Sequence, residues 1–119
     1  MANPFVHIEL QTQDLEKSKK FYAGMFDWKL EELSGLDYTI INVVEGTGGG
    51  MMKKSDPSIT DNWLPYIMVD NLADSTKKTQ TLGATICKDV TEVPDMGWFS
   101  VITDPTGATF GLWQPNKRM

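Results

Sequence analysis

The sequence predicts an α+β protein of two tandem βαβββ modules whose curled sheets close around a shared cleft, and three observations carry that prediction. A short unit recurs: Asp14-Leu-Glu-Lys-Ser-Lys-Lys returns 57 positions later as Asn71-Leu-Ala-Asp-Ser-Thr-Lys. Two copies of such length are too few and too long for a solenoid, so they are expected to pair face to face. Each copy is preceded by one strand-like stretch and followed by three, which argues against a ferredoxin-like βαββαβ order. At 119 residues the chain fits one domain, divided into module one at about 4–53, a linker at about 54–62 and module two at about 63–116.

The elements follow in order. Phe5 to Gln11 alternates, with Val6, Ile8 and Leu10 on one face and His7, Glu9 and Gln11 on the other, the period of a half-buried strand. Asp14 is a good N-cap, and Leu15, Ser18, Tyr22, Met25 and Phe26 recur at helical spacing, so a helix is expected from Leu15 to Met25. Asp27-Trp28 leads into a second strand and Gly35 marks a turn. Tyr38 to Val44, rich in β-branched residues, is the third strand, and Glu45 to Gly50 turns the chain into a short fourth at Met51-Met52. Lys53 to Asn62 is polar, holds a proline and has no apolar period, which suits a linker.

Module two repeats the order. Trp63 to Val69 is a strand, Leu72 to Leu82 a helix, and Gly83 its stop, because a positive φ after a helix is cheapest at glycine. Ala84 to Val90 is a strand, and Thr91 to Gly97 reads as a loop able to lie over a cavity mouth. Trp98 to Thr103 pairs with Ala108 to Gln114 across Asp104-Pro-Thr-Gly107, which has the residues a type I turn favours. The two hairpins align without a gap at an offset of 60, matching Tyr38 with Trp98 and Met51 with Gly111.

Composition narrows the function. The net charge of −5, with no basic stripe, leaves little with which to neutralise phosphates, so no nucleic-acid partner is expected. No apolar stretch approaches the length of a membrane span, and Met1-Ala-Asn-Pro has no secretory pattern, so the expectation is no membrane association and a cytoplasmic protein. Cys87 is the single cysteine, which excludes an internal disulfide or a cysteine-built zinc cluster and suits a small packed thiol. The glycine-rich Gly46 to Gly50 stretch has no following Lys-Ser/Thr and leads into a strand, so it is a hairpin turn and not a phosphate loop.

Val6-His-Ile-Glu-Leu10, Asp14 to Tyr22, Phe26-Asp-Trp28, Tyr66-Ile-Met-Val-Asp70 and Asp104-Pro-Thr-Gly-Ala-Thr-Phe-Gly-Leu-Trp-Gln-Pro115 together resemble the vicinal oxygen chelate superfamily. That superfamily includes glyoxalase I, bleomycin-resistance proteins and extradiol dioxygenases, and the likeness is greatest to a bacterial glyoxalase-like branch related to lactoylglutathione lyase. The resemblance spans essentially the whole chain and implies the glyoxalase/bleomycin-resistance/dioxygenase fold. Metal-dependent relatives carry four ligands on inward faces, one on the first and one on the last strand of each module. His7, seven residues before Asp14, matches the first position; Leu64 stands at its counterpart, and Met51 and Gly111 fall at the last-strand positions. Leucine, methionine and glycine side chains cannot hold a hard divalent ion, so no metal centre and no cofactor are expected.

His7 is the only histidine, able to act as a general base or as a donor to a ligand carbonyl, and Glu9, on the same strand face, could orient it or receive a proton. Tyr38, Met51, Tyr66, Trp98, Gly111 and Trp113 fall by alternation on the expected cavity faces, and large rings with polar tips suit a flat, partly apolar ligand. Each of these rings also suits simple core filling. The first reading is a small-molecule-binding protein of bleomycin-resistance type. The alternatives are a glyoxalase-like lyase or isomerase using His7 and Glu9 for proton transfer, and a non-catalytic interaction or regulatory protein. Single-domain relatives commonly pair, with or without exchange of modules, and the sequence leaves a homodimer open.

Overall fold

The computed structural model describes residues 2–35 and 37–116. Residues 6–64 gather into one compact unit and residues 2–5 with 65–116 into another. In chain order the elements are β1 (Phe5–Thr12), α1 (Leu15–Met25), β2 (Lys29–Leu33), β3 (Tyr38–Asn42) and β4 (Gly49–Lys53), then β5 (Asn62–Met68), α2 (Leu72–Thr81), β6 (Thr85–Val93), β7 (Gly97–Thr103) and β8 (Thr109–Pro115). Both modules are therefore βαβββ, as expected. The strand order β2-β3-β4-β1 of the first matches β6-β7-β8-β5 of the second, with β1 parallel to β4 and β5 parallel to β8.

Local chemistry sets the helix limits. Asp14 accepts from the Lys17 amide at 3.1 Å and Asn71 from the Asp74 amide at 3.1 Å, satisfying in each helix a first-turn N–H that has no intrahelical partner. Gly83 takes φ +91° directly after α2. In module one, Leu10, Ile41 and Met51 form the buried core beneath α1, packed by Leu15, Tyr22, Trp28 and Leu30. In module two, Val69, Leu72, Ile102 and Leu112 do so beneath α2, with Ile67, Trp98 and Phe110 against them. Thr76 and Ser100, both fully buried, bond each other at 2.9 Å inside this second core, and Thr76 also donates to the Leu72 carbonyl at 2.7 Å.

Two expectations are corrected, for the Thr91 to Gly97 stretch and for Cys87. The Thr91 to Gly97 stretch is not a free loop. Thr91, Glu92 and Val93 extend β6 and pair with Phe99, Trp98 and Gly97, and the chain reverses at Pro94 to Met96 with Asp95 in the left-handed region. β6 carries two register shifts against β7, between Ile86 and Lys88 and between Lys88 and Thr91. The 54–61 segment is tied down: the Lys54 amide donates to the Thr12 carbonyl, the Lys54 ammonium pairs with Asp61 at 2.7 Å, and Asp61 accepts from Thr12 Oγ1 and the Gln13 amide. Cys87 lies on β6 as read but is exposed, with its sulfur 2.9 Å from Thr103 Oγ1. Among the described residues no helix is long and apolar enough to cross a membrane.

Candidate functional site

In a sheet, residues directly paired across strands point to the same face, so register assigns each side chain a side. In module one Leu10 pairs with Met51, and Met51 with Thr39. These define the face covered by α1. Glu9 pairs with Gly50, and Gly50 with Ile40, so His7, Glu9, Gln11, Gly50 and Tyr38 share the opposite face.

On that face the structure builds one connected group. The Tyr38 hydroxyl lies 2.6 Å from His7 Nε2 and donates to Glu9 Oε1 at 2.9 Å, and Gln11 Nε2 donates to Glu9 Oε2 at 2.8 Å. Both oxygens of Glu9 accept, which is how a carboxylate is satisfied when it is only 6% exposed. A phenol has one proton. Since Tyr38 spends its proton on Glu9, it accepts from His7, which fixes the imidazole as the Nε2–H tautomer and leaves Nδ1 as its basic nitrogen. Burial holds the His7 pKa below its ordinary value, and the charge of Glu9 opposes that shift without cancelling it. The ring of Tyr38 stacks on that of His7 with centroids 6.1 Å apart and planes at 22°.

Gly50 makes this arrangement possible. A Cβ at Gly50 would stand 2.1 Å from the Tyr38 hydroxyl and 2.3 Å from its Cζ, so only glycine leaves room for the phenol. Module two repeats the relation with different residues. Tyr66 pairs with Gly111 and lies across it, where an added Cβ would meet the ring at 2.3 Å. Tyr66 is buried and packs edge-to-face on Phe99 at 6.2 Å, and Trp113, paired with Phe99 and Met68, is on the same face.

Two of the sequence-derived positions fall elsewhere. Met51 is fully buried in the core beneath α1 and does not share a face with His7. Trp98 pairs with Gln114 and packs on the α2 side with Leu112 and Ile102, away from Tyr66. Both errors have one cause. The hairpins correspond at an offset of 61, which matches Gly50 with Gly111 and Tyr38 with Phe99, and a slip of one residue sends every side chain of a strand to its other face. Gly50 and Phe99 were missed for that reason, and Gln11, though read on the face of His7 and Glu9, was not counted with them. His7, Glu9 and Tyr38 do converge, and Tyr66, Gly111 and Trp113 share one face of module two.

Two other cavities lie on the helix-bearing faces. One of about 320 Å³ in module one is lined by Ile8, Trp28, Ile41, Val43 and Trp63 with Thr47 to Gly49, and one of about 300 Å³ in module two by Asp70 to Ala73, Val90, Trp98 and Gln114. Among the described residues no three His, Cys, Asp or Glu side chains gather at a point suited to a metal.

Comparison with known proteins agrees with this architecture. The model of the Glyoxalase/Bleomycin resistance protein/Dioxygenase superfamily matches residues 5–112. CFP32 of Mycobacterium tuberculosis, whose name assigns it provisionally to the glyoxylases, is 29% identical over 119 residues, covering 94% of this chain and 46% of that protein. The anthracycline biosynthesis protein DnrV of Streptomyces peucetius is 25% identical over 126 residues, covering 89% and 45%. The chain thus spans about half the length of the curated relatives it matches. Among solved structures, the Bacillus halodurans protein BH1468 superposes with a TM-score of 0.72 at 13% identity, over 100% of this chain and 99% of that one. Methylmalonyl-CoA epimerase of Mycobacterium tuberculosis gives 0.71 at 14% identity, over 95% and 88%. At such identities these two likenesses concern the fold.

Proposed function

The chain belongs to the Glyoxalase/Bleomycin resistance protein/Dioxygenase superfamily, and on that premise we propose that it is a glyoxalase-like small-molecule-binding protein working without a divalent-metal centre. A small organic ligand with a carbonyl or hydroxyl oxygen would be met by His7, Tyr38 and Glu9. The observation that carries this reading is the Tyr38 hydroxyl held between His7 Nε2 and Glu9 Oε1 at 2.6 and 2.9 Å. A half-buried hydroxyl held in place in this way can orient a ligand by hydrogen bonding, and the family's metal finds poor support in the donors present. Leu64, Gly50 and Gly111 have no lone pair to offer, which leaves His7 and Glu9 on one strand.

The test is a thermal-shift and calorimetric screen of metal-stripped protein against small carbonyl and hydroxyl compounds, with and without chelator. Saturating ligand at about 100 times its Kd adds about 2.7 kcal/mol to stability. The expected result is a rise that ignores chelator and shrinks in His7→Ala and Tyr38→Phe. A rise that needs Ni or Zn and vanishes in His7→Ala would move the protein among metal-dependent members. Pairing of two chains belongs to the same proposal and is checked by sedimentation velocity.

One observation favours a second reading, a proton-transfer enzyme of lyase or isomerase type. The Nε2–H tautomer, fixed through Tyr38, turns Nδ1 of a neutral His7 into a base. Deuterium exchange into carbon acids beside a carbonyl, abolished by His7→Ala, would select this reading over simple binding.

A further inference from the structure

We infer that Tyr38 and Gly50 act as a pair that commits this face to hydrogen bonding and shuts out a cation, so that the ligand it selects is one recognised through a neutral oxygen and not through metal chelation by two adjacent oxygens. The inference rests on the metal-independent reading above and names the residues that enforce it.

Three features of the first module converge on it. The middle of β4, the strand on which the family would supply a donor, presents Gly50 to this face, and the volume a side chain would need there is taken by the Tyr38 hydroxyl and ring at 2.1 to 2.3 Å from the missing Cβ. No larger residue fits at position 50 while Tyr38 keeps its place. The two nearby donors are also both turned onto the same phenol, His7 Nε2 at 2.6 Å and Glu9 Oε1 at 2.9 Å. Finally, the bond to Tyr38 uses Nε2 as a proton donor, so the His7 nitrogen beside Tyr38 offers no lone pair to a metal. Module two reaches the same end by another route, with Tyr66 filling the space over Gly111. Tyrosine over glycine thus closes the last strand of each module.

Removing the phenol and giving β4 a carboxylate should reverse the exclusion. Ni2+ and Zn2+ are titrated by calorimetry into metal-stripped wild type, Tyr38→Phe, Tyr38→Ala and Tyr38→Ala/Gly50→Glu, with folding checked by circular dichroism. The double variant offers His7, Glu9 and the new carboxylate at position 50. It should bind one equivalent of Ni2+ at least a hundredfold more tightly than wild type, and lose that gain when His7→Ala is added. Tyr38→Ala alone, which frees both donors, should gain about tenfold, following the loss of a competing internal hydrogen bond of about 1.4 kcal/mol. Tyr38→Phe loses the same hydrogen bonds but keeps the ring over Gly50, and should gain no more than Tyr38→Ala. A folded double variant with wild-type metal affinity overturns the inference and leaves the metal-independent reading standing. If the double variant does not fold, an unchanged affinity in Tyr38→Ala overturns it equally. One equivalent of metal on the wild type, removed by His7→Ala, overturns the reading on which it rests.

Discussion

The two modules share topology, register and a glycine at the centre of the last strand, yet they differ in what surrounds that glycine. In module one the neighbours of Gly50 are an imidazole, a carboxylate, an amide and a phenol joined by hydrogen bonds. In module two the neighbours of Gly111 are the rings of Tyr66 and Phe99 with Trp113 beside them. The repeated backbone fixes where side chains point and says little about their chemistry. Proton-carrying groups are concentrated on the face of one module, and the aromatic surface on the face of the other.

Breaking the packing that both modules share gives the largest expected effect. Met51→Ala removes a fully buried core side chain and should destabilise the protein by about 2–5 kcal/mol, read by urea denaturation, while leaving small-molecule affinity unchanged in the folded protein. If ligand binding were lost with stability intact, Met51 would belong to the His7 face after all. Next come the two glycines. Gly111→Ala should cost more than Gly50→Ala, each on the order of 1–3 kcal/mol, because the added methyl at 111 meets a buried ring braced by Phe99, whereas at 50 it meets the hydroxyl end of a partly exposed one. Equal losses would mean that the two tyrosines are equally free to move.

Sharpening the difference in chemistry takes a gentler change. Tyr38→Phe deletes the bond to Glu9 and the bond to His7 at a buried carboxylate, for an expected loss of about 1–3 kcal/mol by denaturation. The smallest effect is in pH. His7 has a folded pKa below its ordinary value, so the unfolded chain binds more protons in the window between the two. The stability that a neutral His7 contributes is complete above about pH 6.5 and is lost as pH falls below it. The melting temperature of the wild type should therefore drop more steeply on acidification than that of His7→Gln. Parallel curves would show that His7 stays accessible to protons in the fold.

Local signals were legible in the sequence wherever they depended on neighbours along the chain. α1 runs from Leu15 to Met25, as the Asp14 cap and the helical spacing indicate, and the Asp104 turn forms with its carboxylate accepting from Thr106 and Ala108. The polar face of β1 also holds. The sequence does not display register between strands, and that is where the reading slipped by one residue. The signal was present: an offset of 61 places Gly50 on Gly111, Ile41 on Ile102 and Met51 on Leu112, small on small and apolar on apolar. An offset of 60 sets Met51 against Gly111, and the mismatch misplaces Met51 and Trp98 together. The contacts of the 54–61 segment were not legible for a different reason, because they come from Asp61 and Lys54 reaching back to the end of β1.

The bonds made by Asn3 and Pro4 carry one more consequence. Asn3 Nδ2 donates to the Met68 carbonyl, and the Met68 amide to the Pro4 carbonyl, across some sixty positions of chain. As the polypeptide leaves the ribosome, residues 6–64 have every partner of their own unit at hand before residues 65–68 are made. Asn3 and Pro4 are made before residues 6–64 and fixed after them. Replacing Asn3 would therefore disturb the later-synthesised unit, residues 65–116, and the damage would register in maturation kinetics before it registered at His7.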